Sequence, residues 1–167
     1  QVISACYGVI CTDYTIMIDS GLPVQIFASL SQTTDVNSAT ITADETIQVS
    51  AYAIDQYGNL VINEVISFVS SNGTMDPSGL FSPYSAGIHT VTAEWVGQSN
   101  TLQEVLQVEV LPGAPVLVEL SGCGDIIHAD TSCDIFGTAF DQYSNIVWFD
   151  NVGDYTLSVS DGEIIEY

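Results

Sequence analysis

The stretch Asp55-Gln56-Tyr57-Gly58-Asn59 returns 86 positions later as Asp141-Gln142-Tyr143-Ser144-Asn145. Its surroundings repeat at the same spacing, because Ala43-Asp44 precedes the first copy and Ala129-Asp130 precedes the second. A fixed period of this kind indicates that a chain is built from copies of one structural unit. The repeated stretch therefore predicts tandem modules and marks the same position in each of them.

An alternating pattern of small or apolar residues leads into each copy of this stretch. Alternation with a period of two is typical of a half-buried β-strand. We therefore expect strands over residues 47–54 and 133–140. The residues expected to face the core are Ile47, Val49, Ala51 and Ala53 in the first copy and Cys133, Ile135, Gly137 and Ala139 in the second.

The other predicted strands favour an all-β fold. Residues 23–112 contain short apolar runs separated by turn residues such as Ser71-Asn72-Gly73, and no helical period. About seven strands at this spacing are typical of an immunoglobulin-like sandwich. The predicted fold is all-β, with tandem immunoglobulin-like β-sandwiches of about 86–90 residues each. The predicted strands lie in residues 24–30, 41–54 (which contains the strand at 47–54), 60–70, 80–81, 88–95 and 104–111, and Val65, Ile66, Phe68 and Val69 are expected in the core.

The repeat phase predicts incomplete modules at both ends of the sequence. Residues 1–22 match the last hairpin of a module, residues 23–112 form a complete module, and residues 113–167 lack the last strands. One interpretation is a segment of a longer tandem array. The other is a head-to-tail polymer in which residues 1–22 complete the C-terminal module of the next chain, because strand addition covers bare edges and apolar faces. The expected partners are copies of this chain or adjacent immunoglobulin-like modules.

The charge of the chain has one sign only. It has 21 Asp and Glu residues and neither Lys nor Arg. Binding to phosphate backbones needs cationic side chains, so nucleic acid is excluded as a partner. Anionic membrane surfaces are disfavoured for the same reason. No apolar run reaches the roughly 18 residues that span a bilayer, so we expect no membrane insertion.

The four cysteines form two close pairs, Cys6 with Cys11 and Cys123 with Cys133. An even count in small β modules fits disulfides made in an oxidising compartment. We therefore expect an extracellular location. Asn72-Gly73-Thr74 is a glycosylation sequon at a predicted turn, which makes Asn72 a candidate glycosylation site.

Three features together resemble bacterial Ig-like repeats, which occur in invasin- and intimin-type adhesins and in long surface proteins of bacteria and archaea. They are the repeated stretch after an alternating strand, the linker Pro112-Gly113-Ala114-Pro115, and the run Ser-Ala-Gly-Ile-His-Thr-Val-Thr-Ala at 85–93. The resemblance covers residues 23–112 well and 113–160 in part. It implies an extracellular sandwich used as a stalk, spacer or adhesive module, and a cell-surface location such as a bacterial or archaeal filament or surface layer. Ser144 departs from Gly58, and serine is strained there if the position needs a positive φ.

The polar side chains of the repeated stretch are candidate calcium ligands. Ca²⁺ takes carboxylate, amide and carbonyl oxygens, which predicts sites at Asp55 with Asn59 and at Asp141 with Asn145. The alternative is a turn in which these side chains bond the local backbone. No other cofactor is expected. The Asp and His residues at 125–134 are interpreted as an exposed loop closed by a disulfide rather than as a zinc site.

We expect no catalytic residues, because the sequence offers no nucleophile motif and no phosphate loop, and such small modules rarely hold a cleft. The predicted function is a non-enzymatic structural module of an extracellular surface protein or filament. It would act as a stalk or spacer, or as the polymerising subunit described above. The alternative is an adhesin-type module that binds a carbohydrate or a protein on another cell.

Overall fold

A computed structural model describes residues 1–31, 37–124, 128, 131–148 and 158. Within these residues the chain is all-β and contains no helix, which confirms the predicted fold class. No helix that could span a membrane is found among them. The strands are β1 (Val2–Tyr7), β2 (Ile10–Thr15), β3 (Gln25–Leu30), β4 (Ser38–Thr42), β5 (Ile47–Ile54), β6 (Leu60–Val61), β7 (Ser67–Ser70), β8 (Thr74–Met75), β9 (Leu80–Ser82), β10 (Gly87–Val96), β11 (Thr101–Leu111), β12 (Pro115–Ser121), β13 (Phe136–Asp141) and β14 (Ile146–Val147).

Strands β3 to β11 form two sheets that pack face to face, and we call this unit the first sandwich. One sheet has the order β4-β11-β10-β7, and the other has the order β3-β5-β9-β8 with β6 also paired to β5. All of these pairs are antiparallel except β4 with β11. The alternation of β11 places Leu106, Val108 and Val110 in the core and their neighbours in solvent. The sandwich prediction is therefore confirmed.

The core of the first sandwich lies between strands β3 and β5 on one side and β10 and β11 on the other. Of the alternating residues expected in β5, Ile47, Val49 and Ala53 are buried and Ala51 is half-buried. Burial of a side chain as large as Ile47 or Val49 contributes about 1.5–3 kcal/mol to folding. Buried Trp95 also donates its indole N–H to Glu64 at 2.9 Å, so its polar atom is satisfied.

The strand predicted at 47–54 is confirmed as β5, whereas other predicted boundaries differ from the structure. The segment 41–54 also holds the end of β4, which joins the opposite sheet. The expected strand over 60–70 is broken between β6 and β7. Four apolar residues in that segment were expected in the core, but Val65 and Val69 are exposed. Successive residues of β7 point to opposite faces, so Val69 faces solvent where Phe68 packs on the core, and Val65 lies in the segment before β7.

Two further sheets flank the first sandwich. Strands β12, β13 and β14 form a three-stranded sheet, which we call the second sheet. Strands β1 and β2 form a separate hairpin, closed by a two-residue loop in which Gly8 has φ 65°. Glycine at this position is favoured because the loop requires a left-handed residue. The assignment of residues 1–22, 23–112 and 113–167 to separate modules stays a prediction.

The second sheet reproduces the register of β3, β5 and β6. Ile26 lies opposite Ala53, and Val118 lies opposite Ala139, which is Ala53 shifted by 86 positions. Ala53 in turn pairs with Val61, as Ala139 pairs with Val147. The structural repeat thus follows the sequence repeat.

Candidate functional site

The Asp55 side chain organises the first copy of the repeated stretch. Its Oδ1 accepts the backbone N–H groups of Tyr57 and Asn59, both at 2.9 Å. Its Oδ2 accepts the side-chain amide of Asn59 at 3.0 Å. Aspartate followed by such a turn bonds the backbone two residues on, as an Asx-turn. The carboxylate thus closes the turn that follows β5.

The second copy has the same geometry. Asp141 Oδ1 accepts the backbone N–H groups of Tyr143 at 2.8 Å and Asn145 at 2.9 Å. Asp141 Oδ2 accepts the Asn145 side-chain amide at 2.7 Å. Five residues that recur in sequence therefore recur as one hydrogen-bonded structure.

A fourth donor ties each turn to the linker that precedes its module. The backbone N–H of Gly21 donates to Asp55 Oδ2 at 2.9 Å, across 34 positions. The N–H of Gly113 donates to Asp141 Oδ2 at 2.8 Å, across 28 positions. We call each Gly–Asp pair a linker clasp. It fixes the segment that enters β3 or β12 to the end of the strand paired with it, which is β5 or β13.

Both clasp carboxylates are buried and ionised. Hydrogen bonds from the Asn59 side chain and from Gly21 lower the pKa of Asp55 far below its ordinary value. Burial raises the pKa of Asp141, but hydrogen bonds from the Asn145 side chain and from Gly113 outweigh it and lower the pKa overall. Because donors that face a carboxylate favour its charged form, each clasp is strongest when ionised.

The second copy also contacts the first sandwich directly. The N–H of Ala86 donates to Asn145 Oδ1 at 2.8 Å, and Asn145 Nδ2 donates to the carbonyl of Tyr84 at 3.2 Å. On the other side of the linker, Asp44 Oδ2 lies 3.5 Å from the N–H of Ala114. Residues from both units, including Ile88 and Ile146, line one open crevice at this junction. Asn145 thus belongs at once to a turn and to an interface.

The departure at Ser144 has a conformational consequence. Gly58 has φ 80°, and Ser144 has φ 67° at the matching position. A side chain in this left-handed region costs roughly 1–2 kcal/mol that glycine avoids. The sequence-based expectation of strain at Ser144 is therefore confirmed.

The calcium prediction and the turn alternative can be compared on this geometry. Both carboxylate oxygens of Asp55 and of Asp141 face N–H groups. An N–H group is a donor and cannot coordinate a cation. The described bonds are those of the turn alternative. Within the described residues no three acidic, His or Cys side chains are grouped as metal ligands. Calcium at Asp55, Asn59, Asp141 and Asn145 stays a prediction, and it would require these N–H groups to turn away.

Both predicted disulfides are confirmed. Cys6 bonds Cys11 across the hairpin, and Cys123 bonds Cys133 beside the second sheet.

The glycosylation prediction at Asn72 stays open; its side chain is half-buried and accepts the N–H of Gly73. The predicted loop at 125–134 lies partly outside the described residues.

The structure also locates several aromatic side chains near these turns and this junction. Tyr57 and Tyr143 are exposed in the turns that follow β5 and β13. His89 is buried, with Nε2 hydrogen-bonded to the carbonyl of Ser85 at 2.7 Å. Trp148 is exposed at the junction crevice.

The sequence reasoning missed the linker glycines and the contact made by Asn145. One available indication was the repeated tetrapeptide Gly-x-Pro-Val, which occurs at 21–24 and at 113–116. Together with the repeated Asp it pairs one linker with one turn in each copy. A backbone N–H carries no side-chain signature, so its target was not readable from sequence.

No protein-family model and no curated protein matches the chain. The resemblance to bacterial Ig-like repeats therefore stays a prediction.

Proposed function

We propose that the chain is a non-enzymatic structural segment of an extracellular surface protein or filament, in which successive β-sandwich modules are joined in a fixed orientation. The observation that carries this proposal is the duplicated linker clasp, Gly21 with Asp55 and Gly113 with Asp141. A free linker would leave these N–H groups to water, and neighbouring modules would then move independently. Here the same bond recurs at both junctions, as a spacer of uniform geometry requires.

The contacts of Asn145 support a fixed junction. They connect the second sheet to the loop before β10, in addition to the clasp on the linker. The Asn145 side chain bonds Asp141 in its own turn and also the loop before β10. These bonds restrain the second sheet from rotating against the first sandwich as well as from moving away from it. A stalk or spacer built this way holds whatever it carries at a set distance.

The charge and the cysteines support an extracellular location. Two disulfides require an oxidising compartment to persist. A chain with 21 acidic residues and no Lys or Arg stays soluble through self-repulsion. It also offers no cleavage site to proteases that cut after basic residues.

The proposal is tested by measuring how the two units tumble. Backbone ¹⁵N relaxation gives separate rotational correlation times for the first sandwich and for the second sheet. We expect equal values in the wild-type chain, because the clasp and Asn145 hold the units as one body. Clearly shorter correlation times for the second sheet would contradict the proposal.

Asn59 provides a matched control. Its side-chain amide bonds Asp55 as that of Asn145 bonds Asp141, but Asn145 alone of the two also bonds Tyr84 and Ala86. We expect Asn145→Ala to separate the two correlation times and Asn59→Ala to leave them equal. An equal effect of both variants would assign Asn145 to its own turn only.

A further inference from the structure

The β1–β2 hairpin has one apolar face and one polar face. Residues opposite each other in the register share a face, so Tyr7 and Ile10 lie with Ile3 and Tyr14. The other face carries the Cys6–Cys11 disulfide and a hydrogen bond between Ser4 and Asp13. The apolar residues are exposed. We call the set Ile3, Ala5, Tyr7, Ile10 and Tyr14 the donor face.

The donor face matches the buried face of the hairpin in the first sandwich. An offset of 88 residues aligns β1 with β10 and matches Ala5 to Ala93. An offset of 92 residues aligns β2 with β11 and matches Tyr14 to Leu106. In the first sandwich Leu106 is 0% exposed, whereas Tyr14 is 71% exposed. The same offsets match Ile3 to Val91, Tyr7 to Trp95 and Ile10 to Leu102. The hairpin therefore has the inward pattern of β10 and β11 without a core to face.

The second sheet carries exposed apolar residues at positions whose counterparts in the first sandwich are buried or half-buried. Val118 occupies the register position of Ile26, yet Val118 is 54% exposed and Ile26 is 3% exposed. Leu120, which matches half-buried Ala28, is also exposed. Ile135 lies 86 positions after buried Val49 and is exposed as well. We call Val118, Leu120 and Ile135 the acceptor face.

The first sandwich shows what covers such a face. Ile26 and Ala53 form one core cluster with Ala93 and Trp95 of β10. Three of these four have exposed counterparts, namely Val118 in β12 and Ala5 and Tyr7 in β1, whereas Ala139, the counterpart of Ala53, is buried. The exposed residues of the acceptor face thus match in register the positions that β10 covers in the first sandwich.

Resting on the proposed structural function, we propose that the β1–β2 hairpin of one chain packs on the acceptor face of a second copy. Apolar area leaves water on both sides of this contact, which drives association. The contact is heterologous, since the donor and acceptor faces are different surfaces. Repeated without closure, such a contact builds an open filament.

The two faces are attached at opposite ends of β5, which favours pairing between chains. Gly21 is clasped at Asp55, just after β5, whereas the linker at Ala114 lies beside Asp44, just before β5. Eight residues of strand span about 26 Å. A hairpin reaching the acceptor face of its own chain would have to cross this length while both linkers stay in place.

Sedimentation velocity across a concentration series tests the proposal. We expect wild-type mass to grow with concentration in steps of one chain. Tyr14→Asp and Val118→Asp place a charge on the donor and the acceptor face, and each should weaken self-association by about 100-fold or more. Because both positions are exposed in one chain, neither variant should unfold the monomer. Thr15→Asp lies on the opposite face of the hairpin and should associate as the wild type does.

Mixing the two variants provides the decisive experiment. Tyr14→Asp retains an acceptor face and Val118→Asp retains a donor face, so the mixture should form one-to-one dimers and stop there. A wild-type chain that stays monomeric at all concentrations would overturn the proposal, as would association that both variants leave intact. Either result is compatible with equal correlation times for the first sandwich and the second sheet, so failure here is distinguishable from failure of the proposed function.

Discussion

The backbone N–H of Gly113 donates to the Asp141 carboxylate at 2.8 Å, and the pair Gly21 and Asp55 repeats this bond at 2.9 Å. One partner of each pair lies in a linker and the other in the turn that ends a strand. The carboxylate accepts four N–H groups in each copy. Linker position and turn conformation are consequently determined by the same side chain.

Asp141→Asn should destabilise the second sheet. Asp141 Oδ2 accepts two donors, from Gly113 and from the Asn145 amide, and an amide NH₂ placed there would face both donors without an acceptor. Loss of hydrogen bonds to a charged group costs about 1.5–3 kcal/mol. Hydrogen exchange of the β12 and β13 amides measures the change in opening free energy. Asp134→Asn, at an exposed position, is the control and should change this free energy little; equal effects of both variants would contradict the account.

The contribution of Asp141 should depend on pH in one direction. The pKa of Asp141 is lower in the folded chain than its ordinary value of 3.8, so its stabilisation is complete above that value and is lost as pH falls toward the lowered pKa. The difference in Tm between wild type and Asp141→Asn should be constant from about pH 7 to 5 and should narrow below about pH 4. Protonation of the other carboxyl groups in acid lowers charge repulsion in both proteins alike. The difference in Tm between them cancels this shared effect. A difference that widens in acid would show that the neutral form of Asp141 is the stabilising one.

Ser144→Gly should stabilise the chain, and Gly58→Ser should destabilise it. Both positions have positive φ, and the space around Gly58 is open, with no heavy atom within 4 Å of an added Cβ. The expected change is about 1 kcal/mol in each direction, because only backbone strain differs. Urea denaturation gives the free energy of unfolding for each variant. If both substitutions shift stability in the same direction, side-chain contacts rather than φ decide the outcome.

Removing the Cys6–Cys11 disulfide should release the hairpin and leave the first sandwich unchanged. A two-stranded hairpin alone is marginal in water, and β1 and β2 are exposed along their whole length. In a Cys6→Ser, Cys11→Ser chain the amides of β1 and β2 should exchange at the rate of an unstructured peptide. The matched pair Cys123→Ser, Cys133→Ser should affect the loop beside β12 and β13 instead. Continued protection of β1 and β2 would mean that contacts other than the disulfide hold the hairpin.

Much of the fold was readable from the sequence because local patterns determine it. The alternation in β5 predicted its buried face, and the cysteine spacing predicted both disulfides. Continuous apolar runs were less informative, because only Phe68 and Val69 follow strand alternation, whereas Val65 and Ile66 lie outside β7. The strand expected from residue 133 begins only at Phe136, because the ladder ends at Ser121 and Gly122 before the disulfide loop.

The candidate site was predicted in part. Repetition of Asp55 and Asn59 located the turns, and turn chemistry was one of the two alternatives. The linker clasp depends on contact between residues 28 or 34 positions apart, which no local pattern encodes. The bridge from Asn145 to Ala86 depends on how two units meet, and a sequence period gives the order of units but not their contacts.

Hydrogen exchange at the Gly113 amide tests the central claim most directly. We expect this amide to be protected in the wild-type chain, to lose protection in Asp141→Asn, and to keep it in Asp55→Asn, where the Gly21 amide should be exposed instead. A Gly113 amide that exchanges in the wild type as fast as in an unstructured peptide would contradict the claim that the Asp141 carboxylate holds the linker.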